Sequence, residues 1–257
     1  METCPAKMKE KLTTDQQIRR KTIKAFVGFG VASLVPFGVW KWINASPYLN
    51  NTLAPLRNTL EFNEKLTGKL LADSHLAPTF SLSQVPKKVR VNGFEGLFSP
   101  LDKDYKVKIE SGDNKFEVTL DELKALPKQE IIFEFKCIEG WSQIQYWAGV
   151  RFVDVMNHYK IGQKDPENLY QYVGMETPDD KYYVGIDMPS AVHPQTILAY
   201  EMNGKPLIDK KHGSPLRLII PVKYGYKSLK RVGVIKFSDT RPKDYWALFG
   251  YDYFAGL

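Results

Sequence analysis

The sequence predicts an α+β domain built on a mixed β-sheet and preceded by one apolar helix. Three observations lead there. A charge-free run near the N-terminus approaches the length that crosses a bilayer. Beyond residue 87, segments that read as strands outnumber those that read as helices. The two kinds do not alternate regularly, as a doubly wound parallel sheet would require.

The apolar run is AFVGFGVASLVPFGVW, residues 25–40, with no charge in sixteen positions. Crossing about 30 Å of hydrocarbon takes roughly 20 residues. Extended to residue 43, the run suffices if Lys24 and Lys41 direct their ammonium groups outward, with Trp40 and Trp42 at the far interface. Three glycines and Pro36 weaken a soluble helix but are tolerated in a span. The basic flank precedes the run, so the N-terminus is expected in the cytoplasm and the bulk of the chain on the periplasmic side of the inner membrane, as a single-pass protein. Arg19-Arg20-Lys21-Thr22-Ile23-Lys24 partly matches a twin-arginine export motif, with Thr22 where a Phe is usual. Asn44-Ala45-Ser46 is a weak cleavage site, so an uncleaved anchor is expected.

Four segments follow from this reading: a basic cytoplasmic stretch at 1–24, the anchor at 25–43, a connector at 44–86 and the compact domain at 87–257. In the connector, Leu56, Leu60, Phe62, Leu66, Leu70 and Leu71 form the stripe of an amphipathic helix, and Pro78 and Pro86 break the chain before the domain. Within the domain, alternation predicts strands at 88–91 and 105–109. Thr119-Leu-Asp-Glu122 is a capping box that opens a helix over 120–126, ended by Pro127. A strand is expected at 130–136. Val150, Val153 and Met156 predict a helix over 149–159, and apolar runs predict strands at 197–202, 216–222 and 232–237.

Composition narrows the chemistry. The 257 residues, 29.5 kDa, are 43% hydrophobic and 25% charged, which excludes a disordered or polytopic chain. The two cysteines, Cys4 and Cys137, exclude a disulfide framework and a cysteine-ligated cluster. Four histidines without a His-x-x-x-His pair make a histidine metal site a poor expectation. The net charge is +7, but residues 1–24 carry seven basic and three acidic side chains, so only +3 remains for the rest. Nucleic acid is therefore not an expected partner.

Two constellations remain. Cys137 follows a strand and precedes Ile138-Glu-Gly-Trp-Ser142, where Gly140 lets the backbone turn and present the thiol; Lys136 is an adjacent positive charge. An inert buried cysteine is the plain alternative. Lys211-His-Gly-Ser-Pro-Leu-Arg217 and Pro221-Val-Lys-Tyr-Gly-Tyr-Lys-Ser-Leu-Lys230 gather cationic and hydroxyl donors with two glycines, the chemistry of a phosphate cradle. A solvated basic loop is the alternative there.

Taken together with Leu198-Ala-Tyr-Glu-Met-Asn-Gly-Lys-Pro-Leu207, these motifs resemble the sulfite oxidase family of molybdopterin-dependent oxidoreductases over roughly residues 87–253. The Cys-x-Glu-x-Trp-Ser run is similar to the haem-free bacterial branch that includes the catalytic subunit of periplasmic methionine-sulfoxide reductase. The resemblance implies a sulfite-oxidase-type molybdopterin-binding fold and a Mo-molybdopterin cofactor, with Cys137 as the molybdenum ligand, a soft thiolate for a soft site. It implies cofactor contacts from Arg90, Asn92, Thr177, His212, Arg217, Ser228, Leu229 and Lys230. It also implies a catalytic tyrosine, with Tyr251 favoured over Tyr253. Two-electron oxygen-atom transfer follows, either reduction of an S-oxide or N-oxide or oxidation of a small anion, with electrons exchanged with a partner such as a membrane b-type cytochrome. The chain lacks the arginine pair that follows the cysteine in sulfite oxidases, and it stops soon after the tyrosine, so no C-terminal β-sandwich is expected. The rival is a non-catalytic scaffold or redox-partner-binding subunit that kept the fold. Two further residues keep two readings each: His193 lines the pocket or caps a turn, and Glu139 relays protons or accepts a structural hydrogen bond.

Overall fold

The computed structural model describes residues 13–49, 51–70 and 75–257. Cys4, Leu71 and half of the expected cytoplasmic stretch lie outside them. The chain forms two compact units, Met1–Thr59 and Leu60–Leu257.

In the first unit, α1 (Thr14–Ala45) begins at a capping box in which the Thr13 hydroxyl accepts from the Gln16 amide and the Gln16 side chain accepts from Thr13. Its 32 residues rise about 48 Å at 1.5 Å each. By length and composition the helix can cross a membrane, and none of its residues is buried. It is longer than the apolar run because the polar residues on both sides continue the helix. A small antiparallel hairpin, β1 (Tyr48–Leu49) with β2 (Thr52–Leu53), follows, and then α2 (Ala54–Leu70), the expected amphipathic helix, which begins in this unit and continues into the second.

The second unit contains two five-stranded sheets. Its elements, in chain order, are β3 (Lys106–Ser111), β4 (Asn114–Thr119), α3 (Leu120–Lys124), β5 (Lys128–Lys136), β6 (Ser142–Arg151), α4 (Phe152–Tyr159), β7 (Tyr172–Glu176), β8 (Tyr183–Asp187), α5 (Met188–Ala191), β9 (Ile197–Met202), β10 (Lys205–Pro206), β11 (Arg217–Ile219), β12 (Val234–Ser238) and α6 (Tyr245–Leu248). One sheet runs β10-β9-β6-β5, with β11 also on β9; the other runs β4-β3-β12-β7-β8. In the second, β12 is parallel to β3 and antiparallel to β7, so the sheet is mixed. The period of two along a strand divides the core. Leu198, Tyr200 and Leu218 join a large apolar cluster with β3, α4, β7, β8 and β12. Their neighbours Ile197, Ala199 and Ile219 turn the other way, onto Phe133, Phe135 and Trp147.

Two expectations need correction. Residues 88–91 form no strand: the Gln143 side chain accepts from the Arg90 amide and donates to the Lys88 carbonyl, which satisfies that backbone without a neighbouring strand. The helix expected at 149–159 starts at Phe152, because Gly149 belongs to β6 and lies at a bulge against β9, where a Cβ would come 2.6 Å from Ala199 Cα.

Candidate active site

The end of β5 delivers Cys137. Its amide donates to the Trp141 carbonyl (2.9 Å) and its carbonyl accepts from Gly140 (3.0 Å), closing a tight turn in which Gly140 has φ +86°. The chain then returns as β6. Lys136 faces Glu134 across 3.9 Å. The thiol borders a cleft whose empty volume, including its open mouth, is about 900 Å³.

Three other segments complete the walls. The 88–93 loop, held by Gln143, contributes Arg90 and Asn92. The Arg90 guanidinium stacks on the Trp141 ring at 4.5 Å, and Asn92 Nδ2 lies 3.7 Å from Cys137 Sγ. Asn92 and Trp141 both donate to Glu139 and hold its carboxyl below the usual carboxylate range, so it is an anion at neutral pH. Lys230 Nζ donates to the carbonyls of Asn92 (2.6 Å) and Gly93 (2.7 Å), which ties this loop to the basic one.

The second segment runs from the turn at Lys210–His212 into β11. Gly213 has φ +97°, and a Cβ there would lie 2.9 Å from Lys230 Cα, so the two backbones can meet only at a glycine. Arg217, the first residue of β11, is 6% exposed. One guanidinium nitrogen donates to the His212 carbonyl (3.3 Å), and the rest packs on the rings of Trp147 (5.0 Å) and Phe135 (5.4 Å). Among the described residues its Nε has no hydrogen-bond partner and no carboxylate pairs with it. Burial pushes Arg217 down to about 10. Burial, then the nearby Arg217 charge, pushes Lys230 down to about 7. The same two causes lower His212.

The third segment brings Tyr226, Ser228 and Lys230 from the 225–230 loop, with Trp246 from α6 and Tyr251 beyond it. The Tyr251 amide donates to the Trp246 carbonyl (3.1 Å), and its ring packs on Trp246 (5.0 Å) and Tyr226 (5.9 Å).

The structure thus gathers Arg90, Asn92, Cys137, His212, Arg217, Ser228, Lys230 and Tyr251 around one cleft. It does not bring Thr177 or Leu229 to the wall. The Thr177 side chain is buried, bonded to Asp179 (2.7 Å) and to the backbone of Tyr182. Leu229 points into the large apolar core, and its amide is spent on the Lys227 carbonyl. Tyr253 is 9% exposed and sits between the cations of Lys227 and Arg241, so of the two tyrosines Tyr251 is the one on the wall. His193 caps a turn: its ring accepts from the Gln195 amide and bonds the His75 carbonyl. Gln145 and Tyr182 also line the cleft. Neither stands out in the sequence, although a buried glutamine in a strand is itself a signal of a polar interior.

A thiol meets here with a buried Arg217 and a half-buried Lys230 that, among the described residues, form no ion pair with a carboxylate. An unpaired charge in such a place is costly, so the donor set suits a bound anion, and the thiol suits a soft metal. Both belong to one class of ligand, a metal carried by a phosphate-bearing organic cofactor, and the residues present fit it.

Residues 97–246, over half of the chain, match the family model described as "Oxidoreductase molybdopterin binding domain", and the chain belongs to that family. It is a molybdopterin-binding oxidoreductase with a mixed α+β fold. A protein of Azospira oryzae, provisionally named protein-methionine-sulfoxide reductase subunit YedZ1, is 34% identical over 200 residues, covering 76% of this chain and 73% of that one. The protein-methionine-sulfoxide reductase catalytic subunit MsrP of Xanthomonas axonopodis is 34% identical over 142 residues, 50% of this chain and 43% of that one. The chain thus spans less than half the length of MsrP. Among solved structures, the sulfane dehydrogenase SoxCD from Paracoccus pantotrophus matches 56% of this chain and 40% of that one, at 19% identity and a TM-score of 0.49, too partial to carry an argument.

Proposed function

We propose that this chain is the catalytic subunit of a membrane-anchored S-oxide reductase, with its cofactor unit on the periplasmic side of the inner membrane. The observation that carries the reading is the cleft in which Cys137 faces Asn92 while Arg217 and Lys230 stand withdrawn from solvent without carboxylate ion pairs among the described residues. When bound, the cofactor supplies two-electron oxygen-atom transfer at molybdenum, and Cys137 is its protein ligand.

The other residues act around it. Arg217, His212, Ser228 and Lys230 hold the phosphate-bearing part, and Arg90 and Asn92 shape the metal side. Thr177 and Leu229 act through the backbone turns they stabilise. Tyr251 donates a hydrogen bond to the substrate oxygen. In sum, the sulfoxide takes up two electrons and two protons, its sulfur–oxygen bond breaks, and a thioether and one water leave. A separate partner must deliver the electrons, and a membrane b-type cytochrome fits that need. Glu139 accepts from Asn92 and Trp141 and so steadies two residues beside Cys137.

In this reading residues 1–24 stay in the cytoplasm, 25–43 span the membrane, 44–86 connect and 87–257 hold the cofactor; the Arg19-Arg20 pair serves export of the folded, loaded domain. The test is metal and pterin analysis of detergent-purified protein from a host that makes the cofactor, with an assay using reduced viologen and an S-oxide or, in the oxidising direction, sulfite with an electron acceptor. The expected result is molybdenum bound in the wild type, lost in Cys137→Ser, with turnover of the S-oxide. Folded wild-type protein without molybdenum or pterin would sink the reading and favour a scaffold.

A further inference from the structure

Lys227 and Asp244 form an ion pair with Nζ and Oδ2 2.5 Å apart, both side chains 1% exposed. Neither lines the cleft, yet each lies between residues that do or close to one. Lys227 separates Tyr226 from Ser228, and Asp244 stands two residues before Trp246. Asp244 spends both carboxylate oxygens: Oδ1 accepts from the Ala247 amide (3.0 Å) and so caps α6, while Oδ2 accepts from Lys227 and from the Gly185 amide of β8 (3.1 Å). Lys227 also donates to the Gly185 carbonyl (3.0 Å), and its ammonium lies 4.3 Å from the Tyr253 ring. Two segments that share no strand ladder are thereby pinned to the same residue of β8.

Removing two charges from water is expensive, and a well-packed neutral pair often stabilises a fold as well or better. A buried pair is therefore weak as an explanation of stability and stronger as one of geometry. We propose that Lys227 and Asp244 are positioning residues for the cofactor: their bond sets the separation between the 225–230 loop, with Ser228 and Lys230, and the wall formed by Trp246 and Tyr251. The inference rests on the reading that this cleft holds the molybdopterin. The short helix α6 cannot hold its place alone, since four residues make barely one turn. Its cap and its hydrogen-bonded links to β8 and to the loop pass through the Asp244 carboxylate, beside the ring contact of Tyr245 with Tyr183 of β8 (6.0 Å) and the Trp246–Tyr251–Tyr226 stack.

The test uses full-length protein purified from a cofactor-making host, as wild type, Asp244→Asn, Lys227→Met and the double variant. Pterin and molybdenum per chain are measured after gel filtration, beside thermal melting. Each single variant leaves one charge buried alone and is expected to melt lower. The double variant has no buried charge and is expected to melt near the wild type. Its cofactor content is nonetheless expected to be about tenfold lower, the scale on which partners of a first ligand shell act. A double variant that regains both melting temperature and cofactor would overturn the proposal, because the pair would then be a matter of charge balance alone. A double variant that does not fold would also overturn it, by making the pair part of the core. If the wild type itself holds no cofactor, the reading of the cleft fails instead.

Discussion

Lys230 shows at the scale of one residue what the cleft is built to do. Its ammonium ordinarily titrates near 10.5, and burial beside Arg217 brings it to about 7. Without an anion, the folded state thus releases this proton between about 7 and 10.5 while the unfolded chain keeps it. Stability attributable to Lys230 therefore rises with pH across that window, and the full cost of the buried charge is present below it. An anion reverses the preference by favouring the charged form. Cofactor-free protein is expected to bind inorganic pyrophosphate more tightly as pH falls from about 8 to about 6, with net proton uptake seen by calorimetry in buffers of different ionisation enthalpy. Lys230→Met should weaken binding at the acid end of that range and remove most of the pH dependence, leaving a smaller contribution from His212 at lower pH. Unchanged pH dependence in that variant would refute this assignment. Cys137, His212, Arg217 and Lys230 were legible because their chemistry is unusual in a sequence. The places of Thr177 and Leu229 were not: Leu229 sits between Ser228 and Lys230, which line the cleft, yet faces the core, and Thr177 spends its hydroxyl on Asp179 and the backbone of Tyr182.

Single elements show where local rules suffice. The box at Thr119 forms as read, with the Thr119 hydroxyl accepting from the Glu122 amide and the Glu122 carboxylate accepting from Thr119. Thr119→Ala is expected to cost about 1 kcal/mol, measurable by urea unfolding, without changing cofactor content. Gly213→Ala makes the opposite demand. A methyl group at φ +97° must push Lys230 away, so cofactor retention should fall, and a retention equal to the wild type would show that the loop yields freely. Seven strands escaped sequence reading: the two-residue β1, β2 and β10, and the longer β4, β6, β7 and β8. In β6, SQIQYWAGVR mixes polar residues with a glycine because one end borders the polar cleft and the other packs at the bulge on β9. In β7 and β8 the glycines Gly174 and Gly185 interrupt the apolar pattern, and at Gly185 the Tyr253 side chain fills the space a Cβ would need. Helix α4 starts late for the reason that hid β6, since both turn on Gly149.

At the scale of the whole molecule, anchoring and export are the properties to measure. The full-length chain is expected to stay with the membrane pellet after alkaline carbonate extraction, and protease added to spheroplasts should reach the cofactor unit. Release by carbonate would remove the anchor from the proposal. Lysines in place of Arg19 and Arg20 should leave folded protein in the cytoplasm if export uses the twin-arginine route, whereas undiminished periplasmic exposure would rule that route out.

By itself the sequence determined the long apolar helix, the amphipathic helix after it, the mixed α+β character of the rest, the identity of the cysteine and the basic loop, and through them the family. These follow from local periodicity, from charge and from motif order, which need no knowledge of what lies opposite. Only the tertiary structure decided which side chains share the cleft. It placed Tyr251 rather than Tyr253 on the wall and made His193 a turn cap. It set Asn92 beside the thiol, and it joined Lys227 to Asp244 across 17 residues of chain. The physical reason is that each of these is a contact between segments distant in sequence. Its geometry depends on strand pairing, on the direction each residue faces and on which buried charges find partners, and none of these is written in the residues on either side.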